Sequence, residues 1–352
     1  MTTPTGNTPP HEASSGSPSG NAPSREASSG ALTARTPVSG SANELPRGRL
    51  VYGCMGLGGG WDRTPYTAQD VDHAQAAVEA ALDAGITRFD HADIYRFGKS
   101  EAVFGEVLSR TPGLRGRIEI QTKCGIRLPE GDRPGLYDLR AKSILRCVEE
   151  SLTRLRTDVI DTLLLHRPDP LAAPDEIAEA LHALHGQGLV RRFGVSNMSA
   201  AQIAHLQARL DVPLVVDQLE MSLARRDWVE AGVLVNTPAA AGVGFPEGTL
   251  EHCAGHGIEL QAWGALAGGR YTDGTDSPAA ALIQVLARRH GTTPETVLLW
   301  WLQHHPAGIV PVVGTSRPAR IRACRDAAVR PSALTHEEWY ELWIAARGAP
   351  LP

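Results

Sequence analysis

The sequence predicts an α/β fold, a (β/α)8 (TIM) barrel in a single domain. Three observations lead to this expectation. After residue 47, short apolar runs alternate with longer segments of helical periodicity, as in parallel strands joined by helices. Eight such runs occur within about 300 residues, which is the size of one barrel. The residues that end the runs are polar or titratable, and barrels carry their chemistry at the rim formed by those ends. A doubly wound open sheet would share the alternation, and the motifs below separate the two.

Each apolar run has the length of a strand and the Val, Ile and Leu content of a strand buried on both faces. The predicted strands are Leu50–Met55, Ile86–Ala92, Ile118–Lys123, Val159–His166, Arg192–Ser196, Leu214–Leu219, Ile258–Trp263 and Ile309–Val313.

Helical patterns fill the intervals between the strands. Thr67 can cap a helix that runs through Ala84 and ends at Gly85. Apolar residues at helical spacing, with Pro294 at a first helical position, predict the others. These are Lys142–Leu155, Pro174–His185, Ala200–Leu210, Ala280–His290 and Pro294–His304.

Composition narrows the function classes. The chain has 352 residues and a formal net charge of −5, which argues against nucleic-acid binding as its main activity. No apolar run approaches the length of about 18 residues that a transmembrane helix needs. Five scattered cysteines without a Cys-x-x-Cys pair indicate the reducing cytoplasm. No feature identifies a partner protein.

Residues 1–47 differ from the rest of the chain. They consist mainly of Ser, Thr, Pro, Gly and Ala, with few large apolar side chains. Such a segment cannot bury enough surface to offset its ordering entropy, so we expect a disordered tail. The barrel domain is expected over residues 48–352.

Four residues near strand ends suggest a chemistry. Asp90, Lys123 and His166 each end a predicted strand, and Tyr95 follows Asp90 in the next loop. A buried lysine beside a tyrosine lowers the pKa of the phenol, and a carboxylate keeps that lysine charged. A tyrosine tuned in this way can protonate a carbonyl oxygen while a neighbouring histidine orients it.

The motifs around these residues resemble one family. Gly85 to Tyr95 reads Gly-Ile-Thr-Arg-Phe-Asp-His-Ala-Asp-Ile-Tyr, followed by Gly-Lys-Ser-Glu at 98–101. This segment resembles the first signature of the aldo-keto reductase superfamily. Four further motifs occur in the family's order: Gln-Thr-Lys-Cys-Gly at 121–125, Leu-His-Arg-Pro-Asp at 165–169, Gly-Val-Ser-Asn at 194–197 and Pro-Val-Val-Gly-Thr at 311–315. The resemblance covers about residues 48–347 and is greatest to a poorly characterised bacterial oxidoreductase subgroup.

The resemblance implies a role for each residue of the tetrad. Tyr95 would donate the proton, Lys123 would set its pKa, Asp90 would pair with Lys123, and His166 would orient the substrate. The implied cofactor is a nicotinamide dinucleotide bound in extended form, without a Rossmann domain.

The resemblance also implies the cofactor contacts. Asn197 and Gln218 match the positions that hold the nicotinamide carboxamide, with Ser196 beside them, and the indole of Trp263 would stack on the ring. Backbone groups of Gly264, Leu266 and Gly268 would line the pyrophosphate. The first loop would approach the ligand through Gly53, Cys54 and Met55.

The segment after the last strand predicts which dinucleotide binds. Gly314, Thr315 and Ser316 lead into a helix that starts near Pro318, where backbone amides and fixed positive charge favour a phosphate. Arg317 and Arg320 can grip a 2′-phosphate bidentately, which favours NADPH over NADH. Surface ion pairing of these arginines is the alternative.

Departures from the family pattern bear on the substrate. Cys54-Met55 replaces the usual Thr-Trp, so that wall of the pocket is less aromatic. Only five residues follow Arg347, whereas relatives with steroid-sized pockets have longer tails. We therefore expect a small aldehyde or ketone as the substrate.

Two other functions remain open. The barrel could hold NADPH as a redox sensor for a partner reached by the tail. Asp90, His91 and Asp93, with His166, could instead bind a metal in a hydrolase. A lysine and a tyrosine at the same rim favour hydride chemistry, so no metal site is predicted.

Overall fold

The computed structural model describes Leu45, residues 48–272 and residues 276–351. The predicted disordered tail therefore lies outside the described residues, apart from Leu45. Along the described ranges, no helix combines the length and apolar character that crossing a membrane requires.

Eight parallel strands close into the predicted barrel. In the described part of the chain the strands are β1 Val51–Gly53, β2 Arg88–Asp90, β3 Glu119–Cys124, β4 Ile126–Arg127, β5 Leu136–Tyr137, β6 Ile160–Leu165, β7 Val190–Ser196, β8 Leu214–Glu220, β9 Glu259–Trp263 and β10 Val310–Val313. The order around the barrel is β1, β2, β3, β6, β7, β8, β9 and β10, with β10 returning to β1. The other two strands, β4 and β5, pair antiparallel as a short hairpin after β3.

Helices connect and cover the strands. In the described part of the chain the α-helices are α1 Ala68–Asp83, α2 Lys99–Arg110, α3 Ala141–Leu155, α4 Pro174–Gly186, α5 Ala200–Gln207, α6 Asp227–Val233, α7 Thr249–His256, α8 Pro278–Arg289, α9 Pro294–Gln303, α10 Pro318–Ala323, α11 Arg325–Val329 and α12 His336–Arg347. Thr67 caps α1 in a capping box with Asp70, as its sequence position predicts.

All eight predicted strands occur, and the differences lie at their ends. Cys54 and Met55 belong to a short 3₁₀ turn, Cys54–Gly56, so β1 ends two residues earlier than predicted. The hairpin of β4 and β5 was not predicted, because strands of two residues carry no periodicity. Since the barrel strands are parallel, their carboxyl ends meet at one rim, where Asp90, Lys123 and Ser196 lie.

The layer between strands and helices is apolar, but part of the barrel interior is polar. Phe89 and Phe104 pack in the outer layer with ring centroids 5.2 Å apart. The interior instead contains partly buried ion pairs at its amino-terminal end, between Arg88 and Glu259 and between Arg192 and Glu119. Glu259 also accepts from Gln261 Nε2 at 3.0 Å, so polar side chains continue from this end of the interior toward the rim.

Candidate active site

Lys123 organises one half of the rim. Its ammonium donates to Asp90 Oδ2 at 2.6 Å, to the His91 carbonyl oxygen at 2.9 Å and to Tyr95 Oη at 3.1 Å. Three acceptors use all three of its protons. The side chains of Lys123 and Asp90 are almost fully buried. Because Lys123 can only donate, Tyr95 Oη must accept from it, which leaves the phenolic proton for another acceptor.

Burial and charge set the protonation states of this group. Burial lowers the pKa of Lys123, but Asp90 and Tyr95 together outweigh it, and the net pKa is raised. Burial raises the pKa of Tyr95, and the opposing charge of Lys123 is too weak to reverse the shift. The predicted lowering of the phenol pKa is therefore wrong in its net direction, although Lys123 acts with the predicted sign. At neutral pH the site holds a charged lysine and a protonated tyrosine.

His166 lies beside Tyr95. The two ring centroids are 5.9 Å apart, with an interplanar angle of 81°. Burial, with smaller effects of Lys123 and Arg167, holds the pKa of the imidazole well below its usual value. His166 is therefore neutral and can donate one N–H to an oxygen placed between its ring and Tyr95.

The other half of the rim is one hydrogen-bonded group. Ser196 Oγ donates to the Gln218 carbonyl oxygen at 2.8 Å, and Asn197 Nδ2 donates to Ser196 Oγ at 2.7 Å. Trp263 Nε1 donates to Asn197 Oδ1 at 3.2 Å, which fixes the orientation of the indole. Asn197 has φ 58°, in the left-handed region that asparagine tolerates better than most residues. The structure thus brings together the four residues expected to hold a nicotinamide.

The first loop approaches this rim differently from the expectation. Gly53 ends β1, and Met55 is half-exposed while its carbonyl oxygen accepts from Arg96 Nε at 3.1 Å. The side chain of Cys54 is fully buried, with its thiol directed at the Tyr52 carbonyl oxygen. Of the three residues, Met55 presents its side chain to solvent.

An aromatic and arginine cluster joins the first loop to the residues that follow Tyr95 in sequence. Trp61 and Phe97 have ring centroids 6.2 Å apart, and Arg63 and Arg96 lie over their faces. Arg96 and Phe97 both have positive φ, a costly backbone geometry that contacts elsewhere must hold. The first loop therefore carries an aromatic side chain, Trp61, which contacts Phe97 on the loop after β2.

Lys99, four residues after Tyr95, contacts the loop that follows β1. It is the first residue of α2, where it pairs with Asp62 at 3.3 Å and donates to the Thr64 carbonyl oxygen at 2.9 Å. Gly58 lies so close that a Cβ there would meet the Lys99 backbone at 2.8 Å. This part of the glycine-rich first loop therefore serves close packing against α2.

The segment after β10 carries the predicted phosphate residues. Gly314, Thr315 and Ser316 lead to α10, which starts at Pro318 as predicted. Arg317 is exposed. Arg320 is engaged with the protein, since it lies 3.6 Å from Glu295 and donates to Thr272 Oγ1 at 2.9 Å.

The loop after β9 faces the same region. Gly264 and Gly268 have φ 72° and 64°, so both adopt the left-handed conformation that favours glycine. Leu266 lies between them and is partly buried. The loop offers backbone groups, as expected of Gly264, Leu266 and Gly268.

The residues of the alternative metal site are not brought together. Asp90 points into the barrel toward Lys123, whereas His91 packs on Phe104 and lies 3.4 Å from Ser100 Oγ. Burial lowers the pKa of His91 to about 3. In the described residues, no three His, Cys, Asp or Glu side chains are grouped to hold a metal.

Comparison with known proteins identifies the family. The profile of the aldo/keto reductase family matches residues 49–344. The chain belongs to the aldo/keto reductase family. The resemblance inferred from the motifs is therefore confirmed, as are the barrel fold and the assignment as an oxidoreductase.

Several proteins of known name or structure are similar over most of their length. An uncharacterized oxidoreductase of Bacillus subtilis, YcsN, is 37% identical over 88% of this chain and 98% of its own. A 6-dehydroglucose reductase of Agrobacterium fabrum is 37% identical over 87% of this chain and 97% of its own. The crystal structure of an aldo/keto reductase from Klebsiella pneumoniae in complex with NADP and acetate has a TM-score of 0.65 and 26% identity, covering 86% of this chain and 92% of the other.

Two glutamines beneath the rim, Gln121 and Gln261, have no role among the residues expected from the sequence. Gln121 donates to Asp90 Oδ1 at 2.6 Å, and Gln261 Oε1 accepts from Gln218 at 2.9 Å. Gln121 lies two residues before Lys123, and Gln261 lies two residues before Trp263. A polar residue at the inward position of an apolar strand is the signal that could have revealed them.

Proposed function

We propose that this protein is an NADPH-dependent reductase that converts a small aldehyde or ketone to an alcohol. The observation that carries the proposal is the arrangement of Asp90, Lys123 and Tyr95, in which a buried ammonium bonds both a carboxylate and a phenol oxygen. NADPH supplies a hydride when bound. The residues of the chain have to position the carbonyl, donate a proton and exclude water.

Tyr95 is the proposed proton donor. Its hydroxyl is protonated at neutral pH, since the ordinary pKa of a tyrosine is 10.0 and burial raises the pKa of Tyr95 further. Lys123 donates to Tyr95 Oη and so stabilises the phenolate that proton donation produces. Asp90 keeps Lys123 charged and fixes its position. His166, neutral and beside Tyr95, donates a second hydrogen bond to the carbonyl oxygen.

The other half of the rim fits a nicotinamide. A carboxamide offers one acceptor oxygen and an NH₂ donor, and Ser196, Asn197 and Gln218 present hydroxyl and amide groups of both kinds in one cluster. Gln218 Oε1 accepts no hydrogen bond from the described residues, so it is available to the NH₂ group. Trp263 offers a flat face held by Asn197.

The adenosine end would bind beside β10. Backbone groups of Gly264, Leu266 and Gly268 would face the pyrophosphate, and those of Gly314, Thr315 and Ser316 the adenosine phosphate. Arg317 is exposed and available to a 2′-phosphate. Arg320 would have to exchange its contacts with Glu295 and Thr272 for the ligand, so we assign the larger contribution to Arg317. An NADP complex of a family member supports this choice of dinucleotide.

The substrate is proposed to be a small carbonyl compound. The relative named 6-dehydroglucose reductase supports including sugar aldehydes among the candidates. A cytoplasmic location stays a prediction from cysteine usage; all five cysteines are buried and free. Gly53 and Met55 would lie at the cofactor's edge, with Cys54 behind them.

The proposal is tested by following NADPH oxidation with a panel of aldehydes, ketones and quinones that includes 6-dehydroglucose. Parallel runs use NADH, and others use protein washed with a chelator. We expect turnover with at least one small aldehyde, faster with NADPH than with NADH and unaffected by the chelator. NADPH binding without turnover of any carbonyl would favour the redox-sensor alternative. Activity that disappears with the chelator would favour metal chemistry.

A further inference from the structure

A chain of hydrogen-bonded amides crosses the barrel interior beneath the rim. Gln121 on β3 and Gln261 on β9 are 140 positions apart in sequence and pair through both ends of their amides, at 2.9 and 3.1 Å. Gln121 is 5% exposed and Gln261 is fully buried. Gln121 contacts the proposed site through a hydrogen bond to Asp90, and Gln261 contacts it through a hydrogen bond from Gln218.

The two ends of the chain are carboxylates. Gln121 Nε2 donates to Asp90 Oδ1 at 2.6 Å. Gln261 Nε2 donates to Glu259 Oε1 at 3.0 Å, and Glu259 is held by Arg88 at 2.6 Å. An ionised carboxylate only accepts hydrogen bonds, so each end requires an NH₂ group to face it. These requirements orient both amides without ambiguity.

The orientation passes to Gln218. With its NH₂ group directed toward Glu259, Gln261 presents Oε1 to two donors, Gln121 Nε2 at 2.9 Å and Gln218 Nε2 at 2.9 Å. This arrangement directs the side-chain NH₂ group of Gln218 into the barrel interior and its side-chain oxygen, Oε1, toward the rim. That oxygen is the acceptor which the NH₂ group of a nicotinamide requires.

We infer that Gln121 and Gln261 are positioning residues that join the two halves of the site. They hold Asp90 beneath Lys123 on one side and set the acceptor orientation of Gln218 on the other. The inference rests on the proposed function, because it takes Gln218 as a cofactor contact. Its specific consequence is that Gln121, which lies on the proton-donor side, contributes to the affinity for NADPH through Gln261.

Methionine is the appropriate replacement because it keeps the unbranched shape and removes both the donor and the acceptor. Gln261→Met leaves Gln218 free to rotate, and we expect the Kd for NADPH to rise about 3- to 10-fold, as for loss of one or two hydrogen bonds. Gln121→Met breaks the chain one link further away, and we expect a rise of about 2- to 5-fold. It should also lower kcat, because Asp90 loses a donor.

The experiment is a double-mutant cycle on the full-length protein. Kd is measured by NADPH quenching of tryptophan fluorescence, and folding is checked by circular dichroism and thermal melting. The matched control is Glu119→Gln, which breaks the ion pair with Arg192 in the same interior but outside the amide chain.

The cycle distinguishes the possible outcomes. Once Gln261→Met has broken the chain, adding Gln121→Met should not raise the Kd further, and Glu119→Gln should leave the Kd at the wild-type value. The inference is overturned if Gln121→Met leaves the Kd unchanged, if the two effects multiply, or if Glu119→Gln raises the Kd equally. If Gln261→Met does not fold, the Kd values of Gln121→Met and Glu119→Gln still test the inference, because only Gln121→Met should raise the Kd. If the wild-type protein binds NADPH but reduces no carbonyl, the proposed function is refuted while the Kd comparison still tests the inference. If the wild-type protein does not bind NADPH, both the proposed function and the inference are refuted.

Discussion

Replacing Lys123 by methionine should destabilise the fold as well as slow the proposed reaction. The ammonium lies 2.6 Å from Asp90 Oδ2 in an almost fully buried pair, so their Coulomb attraction is about 6 kcal/mol at an effective dielectric constant of about 20. Desolvation offsets much of this, and removing one partner of a buried pair costs about 3–5 kcal/mol. Gln121 still donates to Asp90 Oδ1, so we expect about 3 kcal/mol, the lower end of that range.

A thermal melt at neutral pH measures this cost. At 2–4 °C per kcal/mol, Lys123→Met should melt about 6–12 °C below the wild type. The double variant with Asp90→Asn should melt higher than Lys123→Met alone, because the stranded carboxylate is gone. A cost below about 1 kcal/mol, as for exposed ion pairs, or no recovery in the double variant, would refute the argument.

Three further predictions concern cofactor choice and pH. Arg317→Ala should raise the KM for NADPH about tenfold and leave that for NADH unchanged, because only NADPH carries the 2′-phosphate; equal effects in steady-state kinetics would contradict this. Because burial raises the pKa of Tyr95 above its ordinary value of 10.0, the rate of carbonyl reduction should stay level from pH 6 to 9, and a fall across that range would argue against Tyr95 as the donor. Burial raises the pKa of Asp93 to about 7 from 3.8, so the folded state holds a proton that the unfolded chain loses, and stability falls as pH rises between those values. The free energy of unfolding of Asp93→Asn, relative to that of the wild type, should therefore be about 2–4 kcal/mol higher at pH 8 than at pH 4. A difference in melting temperature between the two proteins that does not change with pH would contradict this prediction.

The fold and the candidate site residues were largely predictable because strand ends differ so clearly from strand bodies. Asp90, Lys123, His166 and Ser196 each follow an apolar run, and a parallel barrel brings such positions to one rim. A polar residue that directly follows an apolar run can be recognised from one sequence alone, because both features are local.

Features that depend on distant partners were not predictable. The net shift of the Tyr95 pKa depends on burial, which outweighs Lys123 and is a property of the packed molecule. Arg320 is already engaged by Glu295 and Thr272, on other segments of the chain. The pairing of Gln121 with Gln261 joins opposite sides of the barrel, and strand patterns predict that each points inward without saying what it meets.

The lysine at position 123 shows how composition and structure combine. It is one of only three lysines in a chain whose basic residues are otherwise arginine. Its compact ammonium contacts a carboxylate, a carbonyl oxygen and a phenol within 3.1 Å. A planar guanidinium could not converge on three acceptors in that geometry, which explains why lysine occupies this position.

The central claim is that Tyr95 protonates a carbonyl oxygen while hydride reaches the carbonyl carbon. The most direct measurement is a single turnover of wild type and Tyr95→Phe with NADPH carrying deuterium at the nicotinamide C4, with a small aldehyde found by the panel. We expect deuterium at the carbinol carbon with the wild type and transfer at least about 100-fold slower with the variant, while the NADPH Kd stays within about twofold because the phenol holds no cofactor group. Deuterium transfer by Tyr95→Phe at close to the wild-type rate would contradict the account.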